Sequence, residues 1–188
     1  MELPVTLIII LAVLVVIPII FVIAVYNGLV GKRNQVRNAF STIDVMLKKR
    51  HDLIPNLVES VKGFAAHEKE TFERVIALRN QARTPELSDA DRFSTEDKLG
   101  AGVGRLLAIG EDYPDLKSSD HFLNLQRNLT EIEEQISAAR RSYNAAVMGI
   151  NNSVESFPSN LIASKFGFKR HDFFEALSDE RDFDAIEL

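Results

Sequence analysis

Residues 3–25 form an uninterrupted apolar run, which constrains the fold of this chain more than any other feature. The run carries no charged side chain and consists of Leu, Ile, Val, Phe and Ala, apart from Pro4, Thr6 and Pro18. As a helix it would be about 34 Å long, against roughly 30 Å for the hydrocarbon core of a bilayer. Because backbone polar groups inside hydrocarbon must be satisfied internally, the run predicts a helix that spans a membrane.

A cleaved signal peptide is the alternative interpretation of the same run. Secretory signals begin with cationic residues and have an apolar core of about 7–15 residues. Here the only charged side chain before the run is Glu2, and the run is longer than such a core. The stretch 22–24 resembles a cleavage site, so removal stays open. The length favours a retained transmembrane anchor over residues 1–26, with residues 3–25 in contact with the lipid bilayer.

The charges on the two sides of the run predict its orientation. Lys32, Arg33 and Arg37 follow the run before the first acidic residue, Asp44, whereas Glu2 is the only charged side chain that precedes it. Cationic flanks tend to stay in the cytoplasm. We therefore expect a very short N-terminus outside the cell and a cytoplasmic C-terminal domain.

The composition excludes several classes of function. The 188 residues include no cysteine, which removes disulfides, iron–sulfur clusters, thiolate zinc sites and cysteine nucleophiles. The formal net charge of −5 gives no overall basic footprint, so we do not expect nucleic acid as a partner. Gly and Pro are sparse and strand-like alternation is rare, which together predict an all-α fold.

Apolar residues after the anchor follow helical spacing, but Pro55 leaves the course of the chain open. Asp52 is a good helix cap and Pro is tolerated in a first turn, so we expect one helix to end and another to begin here. The apolar stripe nevertheless stays in phase across Pro55, and a single long kinked helix is the alternative. The stripe before this point consists of Leu29, Val36, Phe40, Ile43 and Leu47.

Two further helices are expected before the longest one. The second would cover about residues 53–82 and the third about residues 90–112. In the third, Gly100, Gly102 and Gly104 each cost up to about 1 kcal/mol of helix propensity relative to Ala. Their spacing matches no phosphate-binding loop. We expect instead that they allow close backbone packing or a local bend.

The clearest helical pattern lies between Asp120 and Pro158. Its apolar residues alternate by three and four over about five heptads, which is typical of a helix in a bundle. Only Ser153 interrupts the series, which consists of Phe122, Leu125, Leu129, Ile132, Ile136, Ala139, Tyr143, Ala146, Ile150 and Phe157.

Several motifs in this chain resemble those of the LemA family. They extend in family order from the anchor to about Leu177. The matching stretches are DLIPNLV (52–58), VKG (61–63), HEKET (67–71), YPDLK (113–117), ARRSYN (139–144), FPSNLIA (157–163), FGF (166–168) and FF (173–174).

The resemblance implies a bacterial inner-membrane protein with a single N-terminal span and a very short outside N-terminus. It implies that the span is followed by a cytoplasmic antiparallel four-helix bundle with long helices, here residues 27–177. It supports the reversal near Pro55, since four helices require it, and implies no catalytic residues. Residues 178–188 form an acidic tail that lies outside the resemblance and is expected to be disordered.

No arrangement of residues indicates catalysis, cofactor binding or metal binding. The Glu-x-x-His pattern of di-iron bundles is missing, so we expect neither an enzyme nor a cofactor. The basic stretch 48–50 is explained as charge at a helix C-terminus rather than as a lipid site. No two of the four histidines lie at i+3 or i+4, so no single helix presents a histidine pair for a metal, and only a metal site assembled across helices stays open. The histidines are His51, His67, His121 and His171.

An aromatic and basic segment near the C-terminus is the candidate site for membrane or partner contact. An up-down-up-down bundle would return this segment to the membrane side, where Phe reaches the acyl boundary and Lys and Arg reach headgroups. The alternative is that its Phe side chains close the open end of the bundle core. The candidate residues are Phe166, Phe168, Lys169, Arg170, Phe173 and Phe174.

These features together favour a scaffold or adaptor that presents helices beside the membrane. Its partners would be other membrane proteins, with a membrane-bound protease as one possibility. A membrane-surface or envelope-remodelling element that uses the aromatic and basic segment is the second hypothesis. An unrecognised enzyme is the third.

Overall fold

All secondary structure in the described part of the chain is α-helical, which confirms the predicted all-α class. A computed structural model describes residues 2–174, without the side chains of residues 2–6, 8, 9 and 89. The acidic tail 178–188 lies outside this part. The helices are α1 (Glu2–Lys62), α2 (Lys69–Ala82), α3 (Asp89–Glu111), α4 (Pro114–Lys117), α5 (Asp120–Glu155) and α6 (Ser159–Lys165).

Helix α1 is 61 residues long and contains the apolar run. In the described part of the chain it is the one helix that is long and apolar enough to cross a membrane, judged by length and composition. None of its most apolar stretch is buried against the rest of the chain. An exposed stretch of this kind matches a lipid-facing segment, because lipid supplies the apolar surroundings that water does not.

The reversal expected at Pro55 is wrong, because α1 continues through it to Lys62. Proline lacks an N–H and therefore leaves the carbonyl four residues earlier, that of His51, without its helical partner. Arg79 of α2 replaces that partner, since its Nε donates to the His51 carbonyl oxygen over 2.7 Å. A tertiary contact thus satisfies the group that the proline leaves free.

The chain reverses eight residues later than expected, beginning at Gly63. The amides of Phe64 and Ala65 both donate to the Val61 carbonyl, at 3.0 and 2.9 Å, and so close the last turn of α1. Helix α2 starts only at Lys69, which corrects the expected start near residue 53. Helix α3 begins as expected, with Ser88 as its cap accepting from the Asp91 amide over 3.2 Å.

The described residues form two compact units, and each is built around its own core. The first unit contains residues 2–40 and 142–173, and the second contains residues 41–141 and Phe174. Helices α1 and α5 each contribute one part to either unit.

The core of the second unit draws on four long helices and on α4. Its fully buried side chains include, in chain order, Ile54, Leu57, Val61, Phe72, Val75, Leu99, Val103, Leu106, Leu116, Phe122 and Leu129. Each helix contributes residues three or four apart, as expected for an amphipathic stripe. Burial of such side chains is worth about 1.5–3 kcal/mol each before entropy is counted.

Two of the three predicted glycines do allow close packing in α3. A Cβ on Gly102 would lie 2.9 Å from a methyl carbon of Val75, and one on Gly100 would lie 3.1 Å from Arg50 Nη1. Gly104 has no neighbouring atom within 4 Å, so packing does not explain it. Gly110 makes a closer approach than any of these, since an added Cβ would lie 2.3 Å from the Phe122 ring.

A smaller core cluster of the first unit lies where α6 packs on α1. Leu29 of α1 is buried with Ile162 and Ala163 of α6 and with Phe168, and Val25, Val30 and Val154 pack against them. The predicted seam of α5 is confirmed as far as Tyr143. Beyond it, Val147 is buried in place of the expected Ala146, and Phe157 is exposed.

Candidate functional site

The structure divides the six predicted contact residues into a buried and an exposed group. Phe168 and Phe174 are buried, whereas Phe166, Lys169, Arg170 and Phe173 are exposed. Sequence reasoning could not separate them, because the segment after α6 has no helical period from which burial could be inferred.

Phe166 and Phe168 attach the segment to α1 at the end of the apolar run. Their ring centroids lie 4.9 and 5.8 Å from that of Tyr26, and both pairs meet edge to face. The Arg33 guanidinium lies 5.2 Å from the Phe168 centroid, within the range of a cation–π contact. Tyr26 is the last residue of the predicted anchor, so Phe166 and Phe168 pack against the end of that segment.

A glycine turn and two polar contacts then direct the segment back along α5. Gly167 adopts a positive φ of 72°, and the Phe168 amide donates to the Ala163 carbonyl over 2.9 Å. Both are features of a Schellman helix ending, which favours glycine at this position. The Asn151 side chain then both donates to and accepts from the backbone of His171, at 2.9 Å each.

The basic residues of the segment differ in their surroundings. Arg170 forms a 2.9 Å ion pair with Glu155, and both side chains are exposed, so the pair adds little to stability. Lys169 is exposed and forms no ion pair with any described residue.

Phe174 belongs to the second unit, where it covers a charged pair. Its ring centroid lies 3.8 Å from that of Phe93, and the Arg140 guanidinium lies 4.0 Å from the same ring. Arg140 also pairs with Asp97 at 2.5 Å. The contacts of Phe174 are those of a core residue.

A buried charge cluster lies in the second unit, and sequence reasoning did not find it. Arg50 is 1 % exposed and pairs with Glu96, which is fully buried. Arg50 also donates to the Glu96 carbonyl over 2.9 Å and to Glu133 over 3.0 Å. The second partner of Glu96 is His51, whose Nε2 lies 2.9 Å from Glu96 Oε1. The interpretation of the stretch 48–50 as a helix C-terminus is wrong, because α1 continues past it.

The surroundings of Glu96 keep its carboxylate ionised. Burial alone raises the pKa of this carboxyl, because the charged form loses hydration. The hydrogen bond from His51 and the charge of Arg50 act in the opposite direction and outweigh burial, so the pKa lies below its ordinary value of 4.5. Glu96 is thus an ionised carboxylate in the core that is paired with Arg50.

A weak sequence signal for this cluster exists. Arg50 follows Ile43 and Leu47 and precedes Ile54 and Leu57 at spacings of three and four, so it occupies a seam position. Glu96 lies three residues after Phe93 and three before Leu99, on the seam of α3. A charged residue in phase with an apolar stripe needs a buried partner. Both lie on the stripe, but only the fold shows that they face one another.

A groove with a volume of about 430 Å³ lies between α2 and α3. Val75, Leu78 and Gly102 supply apolar surface, and Arg74, Lys98 and Arg105 line it without forming ion pairs with any described residue. Glu68 and Glu70 also line it, at the end near His67. No group of three or more His, Asp or Glu in residues 2–174 could hold a metal ion. The groove therefore combines apolar surface with basic and acidic side chains.

Comparison with known proteins identifies relatives that are 26–27% identical to this chain. The chain is 27% identical to protein LemA of Metamycoplasma hominis, over 86% of this chain and 74% of that protein. It is 26% identical to magnetosome protein MamQ 2 of Paramagnetospirillum magneticum, over 80% of this chain and 64% of that protein. The chain is also 26% identical to magnetosome protein MamQ of Magnetospirillum gryphiswaldense, over 79% of this chain and 64% of that protein. The match thus spans less than two thirds of either magnetosome protein.

The sequence pattern of the LemA family matches residues 39–187. This confirms the resemblance drawn from the motifs. The match also reaches residue 187, so it includes most of the acidic tail that the resemblance left outside. Most of the chain, including five of the helices in full, carries the pattern, and the chain belongs to the LemA family.

Proposed function

We propose that this protein is a membrane-anchored, non-catalytic scaffold that presents packed helices to other membrane proteins. The observation that carries the proposal is the double role of α1. Its apolar stretch is exposed throughout, while its C-terminal part contributes Ile54, Leu57 and Val61 to the core of the second unit. One uninterrupted helix therefore contains both the apolar run and residues of a folded core.

The arrangement we propose for the helices is an antiparallel four-helix bundle with long helices. The shared core of α1, α2, α3 and α5 in the second unit supports this proposal. Short connections between successive helices also favour antiparallel neighbours. With α1 continuous past Pro55, the first reversal of the proposed bundle lies at Gly63–Glu68 rather than near Pro55.

We propose an inner-membrane location with a short N-terminus outside and the helical units in the cytoplasm. The basic flank that contains Lys32 and Arg33 supports it. Because the chain has no cysteine, one introduced cysteine can report the topology. Val45→Cys should react with a membrane-impermeant maleimide only after the cells are permeabilised. Labelling in intact cells would reverse the proposed orientation.

The α2/α3 groove is where we propose that a partner binds, with a membrane protease among the candidate classes. A photo-crosslinking amino acid at Ala101, which lines the groove, tests this in living cells. The matched control is the same substitution at Ala138, an exposed alanine on α5 outside the groove. One discrete product from position 101 that is absent from position 138 is expected. Equal or diffuse products from both positions would argue against a binding groove.

Membrane remodelling is the second candidate function, favoured by the exposed aromatic residues of the segment after α5. Of the six predicted residues, the exposed ones would then contact lipid or a partner, namely Phe166, Lys169, Arg170 and Phe173. Full-length protein reconstituted into vesicles should release a trapped dye or change vesicle shape as protein density rises. Intact, spherical vesicles at all densities would leave only the scaffold role.

A further inference from the structure

We infer that α6 and its flanking residues form a lipid-binding surface that lies in the headgroup layer beside α1. The surface consists of Phe157, Leu161, Lys165 and Phe166. This inference rests on the proposed membrane anchoring by α1. It differs from the sequence-based set in its members, because Phe157 and Leu161 enter while the buried Phe168 and Phe174 drop out.

The packing of α6 on α1 sets the depth of this surface. Ile162 and Ala163 are buried against Leu29, with Val25 and Val30 alongside. These α1 residues lie within about 8 Å of the end of the apolar run, at 1.5 Å per residue. The headgroup layer on one side of a bilayer is about 5–7 Å thick. If residues 3–25 span the hydrocarbon, α6 therefore lies at the level of the headgroups.

The direction of α5 in the first unit supports the same depth. The Phe40 and Tyr143 rings have centroids 5.9 Å apart, and Lys32 donates a hydrogen bond to Ser153. Residues that advance along α5 thus meet residues that go back along α1, so the two helices are antiparallel here. The C-terminal end of α5 and Phe157 after it consequently point toward the apolar run.

The exposed side chains of this region are unusually apolar for a surface in water. Phe157 is 80% exposed, Leu161 63% and Phe166 49%. Leu161 follows Phe157 by four residues, while Ile162 and Ala163 turn the opposite side of α6 toward α1. Leu161 of α6 and Phe157 before it therefore leave apolar surface that the described residues do not cover. Lipid beside the span supplies an apolar partner for it.

Basic residues at the edge of this surface indicate anionic lipid. Lys165 and Lys169 are exposed and form no ion pair with any described residue. Lys and Arg close to a membrane surface are attracted to anionic lipid headgroups. Aromatic rings at the acyl boundary with lysines at the phosphates form the usual pattern of an interfacial segment.

Tryptophan scanning of the full-length protein tests this surface, since the chain contains no native Trp. Single variants Phe157→Trp and Leu161→Trp are placed in nanodiscs that contain phosphatidylglycerol, with or without bromine on the acyl chains. Leu14→Trp in the apolar run is the positive control. Leu123→Trp, an exposed apolar position in the first turn of α5, is the negative control.

We expect brominated lipid to quench Phe157→Trp and Leu161→Trp at least twofold and their emission to be blue-shifted relative to Leu123→Trp. Emission and quenching equal to those of Leu123→Trp, while Leu14→Trp is quenched, would overturn the surface but not the anchor. Loss of quenching at Leu14 as well would overturn the anchoring on which the proposed function rests.

The lysines are tested by lipid charge. In Leu161→Trp, quenching should be stronger in phosphatidylglycerol discs than in phosphatidylcholine discs. Lys165→Gln together with Lys169→Gln should remove that difference without changing the quenching at Leu14→Trp. Equal quenching in both lipids before the lysines are changed would overturn the preference for anionic lipid.

Discussion

Arg50 carries a permanent charge at a position where the helix pattern has an apolar side chain. It is accommodated because Glu96, Glu133 and a backbone carbonyl surround it. Buried ion pairs add little net stability relative to an apolar replacement, but removal of one partner leaves a buried charge without compensation. The cluster therefore fixes the pairing of α1 with α3 more than it strengthens the fold.

Arg50→Met should destabilise the second unit by about 3–5 kcal/mol, because Glu96 would be left buried and unpaired. The measurement is the denaturant concentration at the midpoint of unfolding, monitored by circular dichroism on the full chain in detergent. Lys49→Met, at the exposed neighbouring position, is the control and should change stability by less than about 0.5 kcal/mol. Adding Glu96→Gln to Arg50→Met should recover part of the loss. No recovery would show that packing rather than charge causes it.

The ionised state of Glu96 predicts an acid-side loss of stability. Since its pKa in the folded protein lies below the ordinary value of 4.5, its contribution is complete well above that pH. It is lost as the pH falls below that value and through the folded-state pKa. The difference in denaturant midpoint between wild type and Glu96→Gln should thus be constant from about pH 7 to 6 and shrink below pH 4.5. An increase of this difference in denaturant midpoint on acidification would contradict a lowered pKa of Glu96.

At the scale of elements, the continuity of α1 depends on a neighbouring helix. Pro55 removes one hydrogen bond from α1, and Arg79 of α2 occupies the carbonyl that is left free. The reversal that a proline favours is thereby avoided, and the chain turns at Gly63, where both backbone freedom and two closing hydrogen bonds are present.

A double-mutant cycle should detect this compensation. Arg79→Met should cost about 1–3 kcal/mol in the wild-type chain, because the His51 carbonyl loses its partner. In a Pro55→Ala background the amide of residue 55 can serve that carbonyl, and the same change should cost about 1 kcal/mol less. The measurement is the denaturant midpoint of all four proteins. Equal costs in both backgrounds would show that Arg79 stabilises the unit by another contact.

The glycines of α3 should respond in opposite directions to alanine. Gly110→Ala would put a Cβ 2.3 Å from the Phe122 ring, which is fully buried and cannot move freely. We expect a loss of about 1–3 kcal/mol from overpacking. Gly104→Ala meets no atom within 4 Å and should instead stabilise the protein by about 0.5–1 kcal/mol through helix propensity. Thermal melts of the two variants measured together distinguish the cases.

At the scale of the whole molecule, exposed large apolar residues are concentrated in two parts of the described chain. One is the stretch between Leu7 and Ile23 of α1, and the other lies between Phe157 and Phe173. Both belong to the first unit, whereas the second unit has few of them. Exposed apolar surface among the described residues is thus concentrated in the first unit.

Charge in the apolar run should release the protein from the membrane. Each Arg at the centre of a membrane helix costs about 2.5–3.5 kcal/mol of insertion free energy. Leu14→Arg combined with Ile17→Arg should therefore move the protein into the soluble fraction after alkaline carbonate extraction. Wild type and Leu14→Ile combined with Ile17→Leu should stay in the pellet. Extraction of the wild-type chain itself would contradict the membrane anchor.

The sequence alone determined the features that depend on local pattern. The anchor, the all-α class, the course of α3 and α5 and the family followed from apolar runs, three-four spacing and short motifs, because these signals depend on residues close together in the chain. Tertiary structure decided whether Pro55 ends a helix, where Arg50 finds its counter-charge, and which Phe side chains of the last segment are buried. Each of those outcomes depends on a partner far away in sequence, such as Arg79, Glu96 or Tyr26, and a pattern along one helix carries no information about which residue will face it.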